Sequence, residues 1–344
     1  MRIQSVFLAV IICFLAFACK NPEPDTNLQE TSQKKFAIAI HGGAGVIKPE
    51  NMSDSLEQAY KEKLEEAITA GHRLLEEGKS SIEAIKAAIQ VMEESPLFNA
   101  GKGAVLNHNE KPELDASIMD GKTLNAGAVA GISHIKSPIL LAYEIMENSK
   151  HVMLSGEGAE LFAMEQGLDT VPETYFITKR RLDQVKAMKK QENELSAYFD
   201  PMINADKMGT VGAVALDKDG NLAAGTSTGG MANKRYGRIG DSPIIGAGTY
   251  ANNKTCAVSA TGDGEFYIRG TVAYDVSALM EYKGLSVSEA TQKILHEKQP
   301  ELGGTGGLIA MDKYGNVSLD FNTPGMFRAS MDDEGNLEIG IYNE

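Results

Sequence analysis

The chain has 344 residues, of which 42% are hydrophobic and 23% are charged, and this composition excludes a protein that is disordered throughout. Its 47 Asp and Glu residues outnumber 33 Lys and Arg residues and give a net charge of −14. General nucleic-acid binding is therefore excluded, because no surplus of positive charge is present to neutralise phosphates. Beyond the first 19 residues the sequence holds the single cysteine Cys256, so a disulfide framework is excluded as well.

The first predicted element is an export signal over residues 1–19. Arg2 precedes an apolar run from 6 to 18, which is too short for a membrane span and typical of a secretory signal. A small residue directly before Cys19 resembles a bacterial lipoprotein signal, in which Cys19 carries the lipid and residues 20–34 form a tether. An ordinary signal with an incidental cysteine is the alternative. Both interpretations predict export to the periplasm or bacterial envelope, and the first predicts a lipoprotein anchored to a membrane of that envelope.

Hydrophobic patterning then predicts one strand and several helices. The apolar residues 36–40 predict the strand, which is expected to end at the glycine-rich segment 41–45. Apolar residues at helical spacing predict the helices, the second of which has a capping box formed by Ser80 and Glu83. The predicted helices cover residues 54–77, 80–94, 138–148 and 158–166.

Residues 179–208 are rich in charge and have few large apolar side chains after Val185. They predict an exposed, partly helical and poorly packed linker. Beyond this linker, turns of the pattern Asp-x-x-Gly-Asn separate short apolar segments and predict β-hairpins. The turns lie at 217–221, 312–316 and 332–336, and helices are predicted at 267–282 and 286–298.

The junction between the linker and the next strand carries the first chemical signal. Gly209 and Thr210 directly precede the apolar segment 211–215. Cleavage of the Gly209–Thr210 bond would place a hydroxyl and an α-amine on one residue, and the amine could act as the base for that hydroxyl. A β-branched residue that merely starts a strand is the structural alternative.

Three later segments contain the groups that such a nucleophile needs. Residues 226–230 place hydroxyls at a glycine-rich strand end, where a ligand can approach the backbone closely. Arg238 and Asp241 can bind the carboxylate and the ammonium of an amino acid, or alternatively form a local ion pair. Residues 261–265 provide a hydroxyl and a glycine N–H that can stabilise an oxyanion.

These segments, with others upstream, resemble the isoaspartyl peptidase/plant-type L-asparaginase family of N-terminal-nucleophile hydrolases. The matching segments are collinear and lie at 40–45, 96–103, 113–121, 209–215, 226–230, 238–243 and 261–265. The resemblance implies an α/β protein with a four-layer αββα sandwich in one structural domain. It also implies autocatalytic cleavage into an α subunit of residues 35–209 and a β subunit of residues 210–344, which assemble as a dimer of cleaved units.

The resemblance further implies a role for individual residues. The implied site consists of the nucleophile Thr210, freed by cleavage after Gly209; Thr228, which activates its hydroxyl; Arg238 and Asp241, which bind the substrate α-carboxylate and α-ammonium; Thr261 and Gly262, which form the oxyanion hole; and Thr261, Gly264 and Asn99, which contact the substrate. The expected reaction is hydrolysis of β-aspartyl dipeptides and L-asparagine, with release of L-aspartate through a β-aspartyl-threonine intermediate. No cofactor is expected for catalysis, and the backbone of residues 92–102 matches a loop that binds a structural sodium ion in some members.

Other polar residues are expected to have no catalytic role. His41 is interpreted as structural, because an N-terminal amine makes a separate histidine base unnecessary. No role is assigned to Ser117, Asp120 or Asp263, and the scattered histidines predict no catalytic metal site. Cys256 is predicted to be a core residue rather than a nucleophile.

This interpretation has three alternatives. Glycosylasparaginase shares the fold and the nucleophile, although the sequences at 40–45 and 209–215 favour the isoaspartyl branch. A non-enzymatic, exported amino-acid-binding lipoprotein would use Arg238 and Asp241 as a clamp and would not be cleaved. A phosphate-binding loop at 41–45 ranks last, because it lacks a Gly-Lys-Ser/Thr sequence and the Rossmann glycine spacing.

Overall fold

The strands of the protein form two sheets, and we take their bounds from a computed structural model that describes residues 35–194 and 209–343. The predicted signal, the tether and residues 195–208 of the predicted linker lie outside the described residues. The strands are β1 Ala37–Gly45, β2 Leu114–Asp120, β3 Ala126–Ile132, β4 Met153–Ser155, β5 Val211–Leu216, β6 Leu222–Thr228, β7 Thr249–Ala251, β8 Cys256–Gly262, β9 Gly306–Asp312, β10 Val317–Phe321, β11 Gly325–Met331 and β12 Leu337–Tyr342.

The helices agree closely with the hydrophobic patterning. Ser80 and Glu83 form the predicted capping box, and the next helix begins at Pro138, whose fixed φ suits a first helical position. The predicted helix at 267–282 is interrupted at Thr271, which has a φ of +48°. The helices are α1 Asp54–Glu76, α2 Ser81–Glu93, α3 Pro138–Asn148, α4 Gly156–Glu165, α5 Lys179–Glu194, α6 Gly264–Gly270, α7 Val272–Lys283, α8 Val287–Lys293 and α9 Gln299–Leu302, with a π-helical turn at Ile294–Lys298 and 3₁₀ turns at Pro49–Asn51, Gly101–Gly103 and Glu173–Tyr175.

The sheet order places the predicted nucleophile at the centre of the larger sheet. That sheet runs β12-β11-β1-β5-β6-β2-β3-β4, and the smaller sheet runs β10-β9-β8-β7. Strand β5 begins directly after Thr210 and pairs antiparallel with β1 on one side and β6 on the other. Strand β6 ends at Thr228, which pairs with Asp115 of β2.

Apolar side chains on both faces of each sheet produce three layers of core. Between the sheets, Val214 of the larger sheet and Ile309 of the smaller sheet belong to one buried cluster. The outer face of the larger sheet packs on α1 and α2 through residues such as Leu64 and Ile89. The outer face of the smaller sheet packs on α7 and α8, with Val276 in the cluster. The resulting order of helices, sheet, sheet and helices is the predicted four-layer αββα sandwich.

Strand β1 differs from the prediction, because it does not end at the glycine-rich segment. It continues to Gly45, with a bulge between His41 and Gly43 where the pairing to β11 shifts. Gly43 has a φ of +108°, and a Cβ on Gly42 would lie 2.4 Å from the Phe98 ring. The glycines therefore allow the strand to bulge and to pass close to its neighbours, where a side chain would not fit.

The predicted linker from residue 179 is partly helical, as expected, but the prediction of poor packing is wrong for its first half. Residues Lys179–Glu194 form the regular helix α5, and Arg181 and Val185 are almost completely buried. The Arg181 Nε donates to the carbonyl of Gly103 at 2.8 Å, and Lys189 forms an ion pair with Glu110. This helix is held by one buried and one partly exposed polar contact, which a scan for large apolar residues does not detect.

The predicted hairpin turns and the predicted core position of Cys256 are confirmed. The turns that contain Gly220, Gly315 and Gly335 have these glycines at φ of +80° to +84°, as the hairpins require. Cys256 is fully buried in the core under α7, and burial raises the pKa of its thiol to about 12, so it is a core residue. Among the described residues, no helix has both the length and the apolar character needed to cross a membrane.

Candidate active site

Thr210 lies at the start of β5, with its hydroxyl facing the end of β6. Its side chain is nearly buried, at 8% exposure. The Thr210 Oγ1 donates to Thr228 Oγ1 at 3.1 Å, and Ser242 Oγ lies 3.4 Å away. The structure thus brings the predicted nucleophile and its predicted activating residue together, because β5 and β6 are neighbours in the sheet.

A tight turn after β6 holds Thr228 in place. The N–H of Gly230 donates to Thr228 Oγ1 at 2.9 Å. Asn99 supports this turn, since its Nδ2 donates to the carbonyl of Gly230 at 2.8 Å and its own carbonyl accepts from Gly229. The structure therefore places Asn99 beneath the turn, and its predicted contact with the substrate stays a prediction.

The bond before Thr210 passes through a slot that only a glycine fits. A Cβ on Gly209 would lie 2.3 Å from Thr261 Oγ1 and 3.0 Å from the Cα of Gly43. Gly43 is equally constrained, because its own Cβ would lie 2.6 Å from the backbone of Gly209. The bulge in β1 and the predicted oxyanion residue Thr261 therefore enclose the predicted cleavage site.

The last residue of β8 is the other predicted oxyanion donor. Gly262 follows Thr261, and its Cβ would lie 2.5 Å from the carbonyl of Thr305. Asp263, which was expected to have no role, fixes the turn after β8: its carboxylate accepts from both the N–H and the hydroxyl of Thr305, at 3.1 Å and 2.9 Å. A short side chain between two glycines was the available signal for such a turn.

Arg238 and Asp241 meet over the backbone of Gly264, as the predicted substrate clamp requires. A Cβ on Gly264 would lie 2.8 Å from Arg238 Nη2 and 2.9 Å from Asp241 Oδ1. The absence of a side chain therefore leaves room for a small ligand to contact both charged groups. The structure confirms that these three predicted residues are neighbours.

The Asp241 carboxylate is buried and incompletely hydrogen-bonded. Its Oδ2 has no hydrogen-bond partner among the described residues. Burial raises the pKa of Asp241 from 3.8 to about 7, although the positive charge of Arg238 acts in the opposite direction. A buried acceptor without a donor is costly, and a ligand ammonium would supply both a donor and a countercharge.

Glu265 is a residue of the site that the sequence analysis missed. The Nε and Nη2 of Arg238 donate to its two carboxylate oxygens at 2.8 Å and 2.9 Å. This bidentate pair fixes the plane of the guanidinium and leaves the Nη1 group free of Glu265. Its position directly after Gly264 in the motif 261–265 was the signal that could have identified it.

The loop of residues 92–102 was tested for the structural sodium ion that the resemblance implies. A Cβ on Gly101 would lie 2.3 Å from the carbonyl oxygen of Glu93, so backbone oxygen approaches the glycine closely. Oxygen ligands of this kind suit a hard cation, and the sodium ion stays a prediction for this loop. Its backbone would hold the ion, which would stabilise the loop that carries Asn99. Elsewhere in the described part of the chain, no cluster of three or more His, Cys, Asp and Glu residues could bind a metal.

Comparison with known proteins agrees with this geometry. The sequence profile of a family described as Asparaginase matches residues 34–341. The chain belongs to this asparaginase family. The match covers both sheets and every predicted site residue, so the predicted family and its N-terminal-nucleophile hydrolase fold are confirmed.

Curated relatives of the asparaginase chain match over most of their length. The isoaspartyl peptidase of Escherichia coli (strain K12) is 52% identical over 311 residues, which are 90% of this chain and 97% of the relative. The isoaspartyl peptidase of Salmonella typhimurium is 51% identical over 90% of this chain and 99% of the relative. The isoaspartyl peptidase/L-asparaginase of Xenopus laevis is 41% identical over 90% of this chain and 96% of the relative.

Proposed function

We propose that this asparaginase-family chain hydrolyses β-aspartyl dipeptides and L-asparagine with Thr210 as the nucleophile. The observation that carries the proposal is the geometry around Thr210 and Gly264: the Thr210 hydroxyl contacts Thr228, and Arg238 and Asp241 meet over Gly264. The names of its relatives, isoaspartyl peptidase and isoaspartyl peptidase/L-asparaginase, support the same class of substrate.

The chemistry of the clamp restricts the substrate. A ligand must present a free α-carboxylate to Arg238 and a free α-ammonium to Asp241 while it offers a carbonyl carbon to Thr210. An aspartyl residue joined through its side-chain carbonyl meets these requirements, both in a β-aspartyl dipeptide and in asparagine. An α-linked aspartyl residue does not, because its α-carboxylate is consumed in the peptide bond.

The reaction would proceed by two acyl transfers. The α-amine of the freed Thr210 accepts the hydroxyl proton while Oγ1 attacks the substrate carbonyl, and Thr228 orients this hydroxyl. The oxyanion accepts hydrogen bonds from the Thr261 hydroxyl and the Gly262 N–H. Collapse breaks the carbon–nitrogen bond, and the proton passes to the departing amine or ammonia. Water then cleaves the β-aspartyl ester of Thr210, and aspartate leaves.

This mechanism requires cleavage between Gly209 and Thr210, which we propose as autocatalytic processing into an α chain and a β chain. The close approach of Thr261 and the Gly43 bulge to Gly209 supports a built cleavage site. Purified protein should show two chains on a denaturing gel, with Thr210 at the N-terminus of one. A single uncut chain that is active would overturn the mechanism, and an uncut chain that only binds amino acids would favour the binding-protein alternative.

The substrate class has its own test. Aspartate release is compared for a β-aspartyl dipeptide, its α-linked isomer, asparagine and a glycosylated asparagine. We expect release from the first and the third and none from the second, because the α-linked isomer cannot satisfy Arg238. Equal rates on both isomers would contradict the clamp assignment, and release only from a glycosylated asparagine would favour the glycosylasparaginase alternative.

We also propose an exported, lipid-anchored enzyme that assembles as a dimer of cleaved units, with membrane attachment only through Cys19. The sequence of residues 1–19 supports the anchor, and the family resemblance supports the dimer. Cys19→Ala should keep its activity and lose its membrane partitioning. Unchanged partitioning would contradict the anchor, and a mass of one α chain plus one β chain in light scattering would contradict the dimer.

A further inference from the structure

His41 occupies a position behind Thr210 that the mechanism above does not use. Its Nδ1 lies 3.0 Å from the carbonyl oxygen of Thr210, and its Nε2 lies 2.9 Å from Ser259 Oγ. The ring is fully buried between β1 of the larger sheet and β8 of the smaller sheet. It therefore connects the backbone of the predicted nucleophile to the opposite sheet.

The partners of the ring determine where its hydrogen lies. A carbonyl oxygen only accepts hydrogen bonds, so Nδ1 must carry the hydrogen that is donated to Thr210. Burial lowers the pKa of His41 to about 3, although its bond to Thr210 acts in the opposite direction, and the ring is neutral at physiological pH. Nε2 is then an acceptor, and the hydroxyl of Ser259 donates to it.

A chain of buried hydroxyl groups continues from this point. Because Ser259 has given its hydrogen to His41, it accepts from Thr226 at 2.7 Å, a shorter contact than the 3.2 Å from Thr226 to the carbonyl of Gly248. Thr226 in turn accepts from Thr249 at 2.5 Å. The direction of each bond thus follows from the bond before it.

The far end of the chain lies beside the substrate clamp. The Ser117 hydroxyl lies 2.7 Å from Thr249 Oγ1 and 2.6 Å from the carbonyl oxygen of Ser242, and its single hydrogen serves one of these two acceptors at a time. Ser242 directly follows Asp241 in the sequence. Ser117, Thr226, Thr249 and Ser259 are all fully buried, so water does not compete with these bonds.

Gly212, two residues after Thr210, makes the first contact of this chain possible. A Cβ at this position would lie 2.0 Å from Ser259 Oγ and 2.4 Å from His41 Nε2. Strand β5 therefore has no side chain at the point where His41 and Ser259 meet. This close approach explains why a glycine stands inside an otherwise apolar central strand.

We infer that His41 is a positioning residue for Thr210, and that the hydroxyl chain Thr249–Thr226–Ser259 holds the ring in place through the hydrogen bond from Ser259 to Nε2. The inference rests on the proposed role of Thr210 as the nucleophile. The Nδ1–H bond fixes the carbonyl of Thr210, and with it the orientation of the residue toward Thr228. A displacement of about 1 Å at a reacting group can lower a rate about 10²-fold.

Thr226→Val tests the chain at its middle link, because valine has nearly the volume of threonine and no hydroxyl. We expect kcat and the rate of chain cleavage to fall at least about tenfold, with KM within about twofold, since Arg238 and Asp241 are untouched. Thr291→Val is the matched control. Thr291 is equally buried, and its hydroxyl bonds to Ser318 at 2.7 Å, so it is not part of the hydroxyl chain that leads to His41. The control should lose stability and keep its kcat. Equal kcat and cleavage rates in the two variants would overturn the inference.

A second pair of variants tests His41 directly. In His41→Asn the side-chain amide can donate from nearly the position of Nδ1, whereas His41→Leu has no donor. We expect the asparagine variant to cleave and turn over at least about tenfold faster than the leucine variant. Equal rates in the two would overturn the positioning role. If the unaltered protein is neither cleaved nor active, the proposed function fails instead, so the two failures are distinguishable.

Discussion

The hydroxyl oxygen of Thr261 lies 2.3 Å from the point that a Cβ on Gly209 would occupy. This contact joins the predicted oxyanion hole to the predicted cleavage site, although Thr261 lies on β8 of the smaller sheet and Gly209 precedes β5 of the larger sheet. If the proposed cleavage and oxyanion roles hold, one hydroxyl faces both the bond that is cut and the substrate that arrives later. The glycine before Thr210 is thus required by space, independently of any sequence preference of the cleavage reaction.

Gly209→Ala should slow chain cleavage at least about tenfold, because the added methyl group must displace Thr261 or the Gly43 bulge. The measurement is the appearance of the two chains over time on a denaturing gel. Gly158→Ala is the matched control, since a Cβ there meets open space. Cleavage of the Gly209 variant at the rate of the control would show that the slot does not constrain the bond.

Thr261→Ala should lower kcat by about 10²–10³-fold and change KM far less, because the oxyanion forms only during the reaction. Rates are expressed per newly formed Thr210 N-terminus, so that slow maturation does not count as slow catalysis. Thr255→Ala removes the same atoms from a buried threonine whose hydroxyl bonds to Ser277. If the kcat of Thr261→Ala equals that of this control, the assignment of Thr261 to the oxyanion hole is wrong.

Arg238→Ala should lower kcat/KM by about 10²-fold or more and raise KM, because the guanidinium binds the substrate carboxylate before and during attack. The effect should be similar for asparagine and for a β-aspartyl dipeptide, since both present the same carboxylate. The exposed Arg269, which stacks on Phe266, provides the control Arg269→Ala. An unchanged KM in the Arg238 variant would contradict the clamp.

Asp241→Asn should make the protein more stable while it abolishes turnover. Burial raises the pKa of Asp241 from 3.8 to about 7, so the native state holds this proton more tightly than the unfolded state does. The free energy of unfolding therefore falls as pH rises from about 4 to about 7, by up to about 4 kcal/mol from this group. The amide side chain of the Asp241→Asn variant does not ionise, so the variant does not lose this free energy of unfolding as the pH rises.

Chemical denaturation at pH 4.5 and pH 8 measures this difference. The gain in the free energy of unfolding of Asp241→Asn over the unaltered protein should be larger at pH 8. Asp169→Asn, at an exposed position, should show no such pH-dependent gain. A gain of the same size at both pH values would mean that burial does not raise the pKa of Asp241.

Much of the fold could be predicted because its signals are local. The capping box of Ser80 and Glu83, the first-turn Pro138 and the turn glycine Gly220 each act within a few residues of themselves. The packed helix α5 could not be predicted in the same way, since Arg181 is held by the carbonyl of Gly103, far away in the sequence. The continuation of β1 beyond Ile40 likewise depends on its neighbours β5 and β11.

The sequence by itself determined which groups could do chemistry: Thr210 after a glycine, a guanidinium and a carboxylate three residues apart, and a threonine before a glycine turn. Tertiary structure decided which of these groups meet. His41 and Thr210 are 169 residues apart, and Ser259 reaches the ring from the other sheet. Such contacts depend on strand order and on the stacking of two sheets, and hydrophobic patterning sets neither. The positioning histidine therefore has no local signal, whereas the nucleophile does.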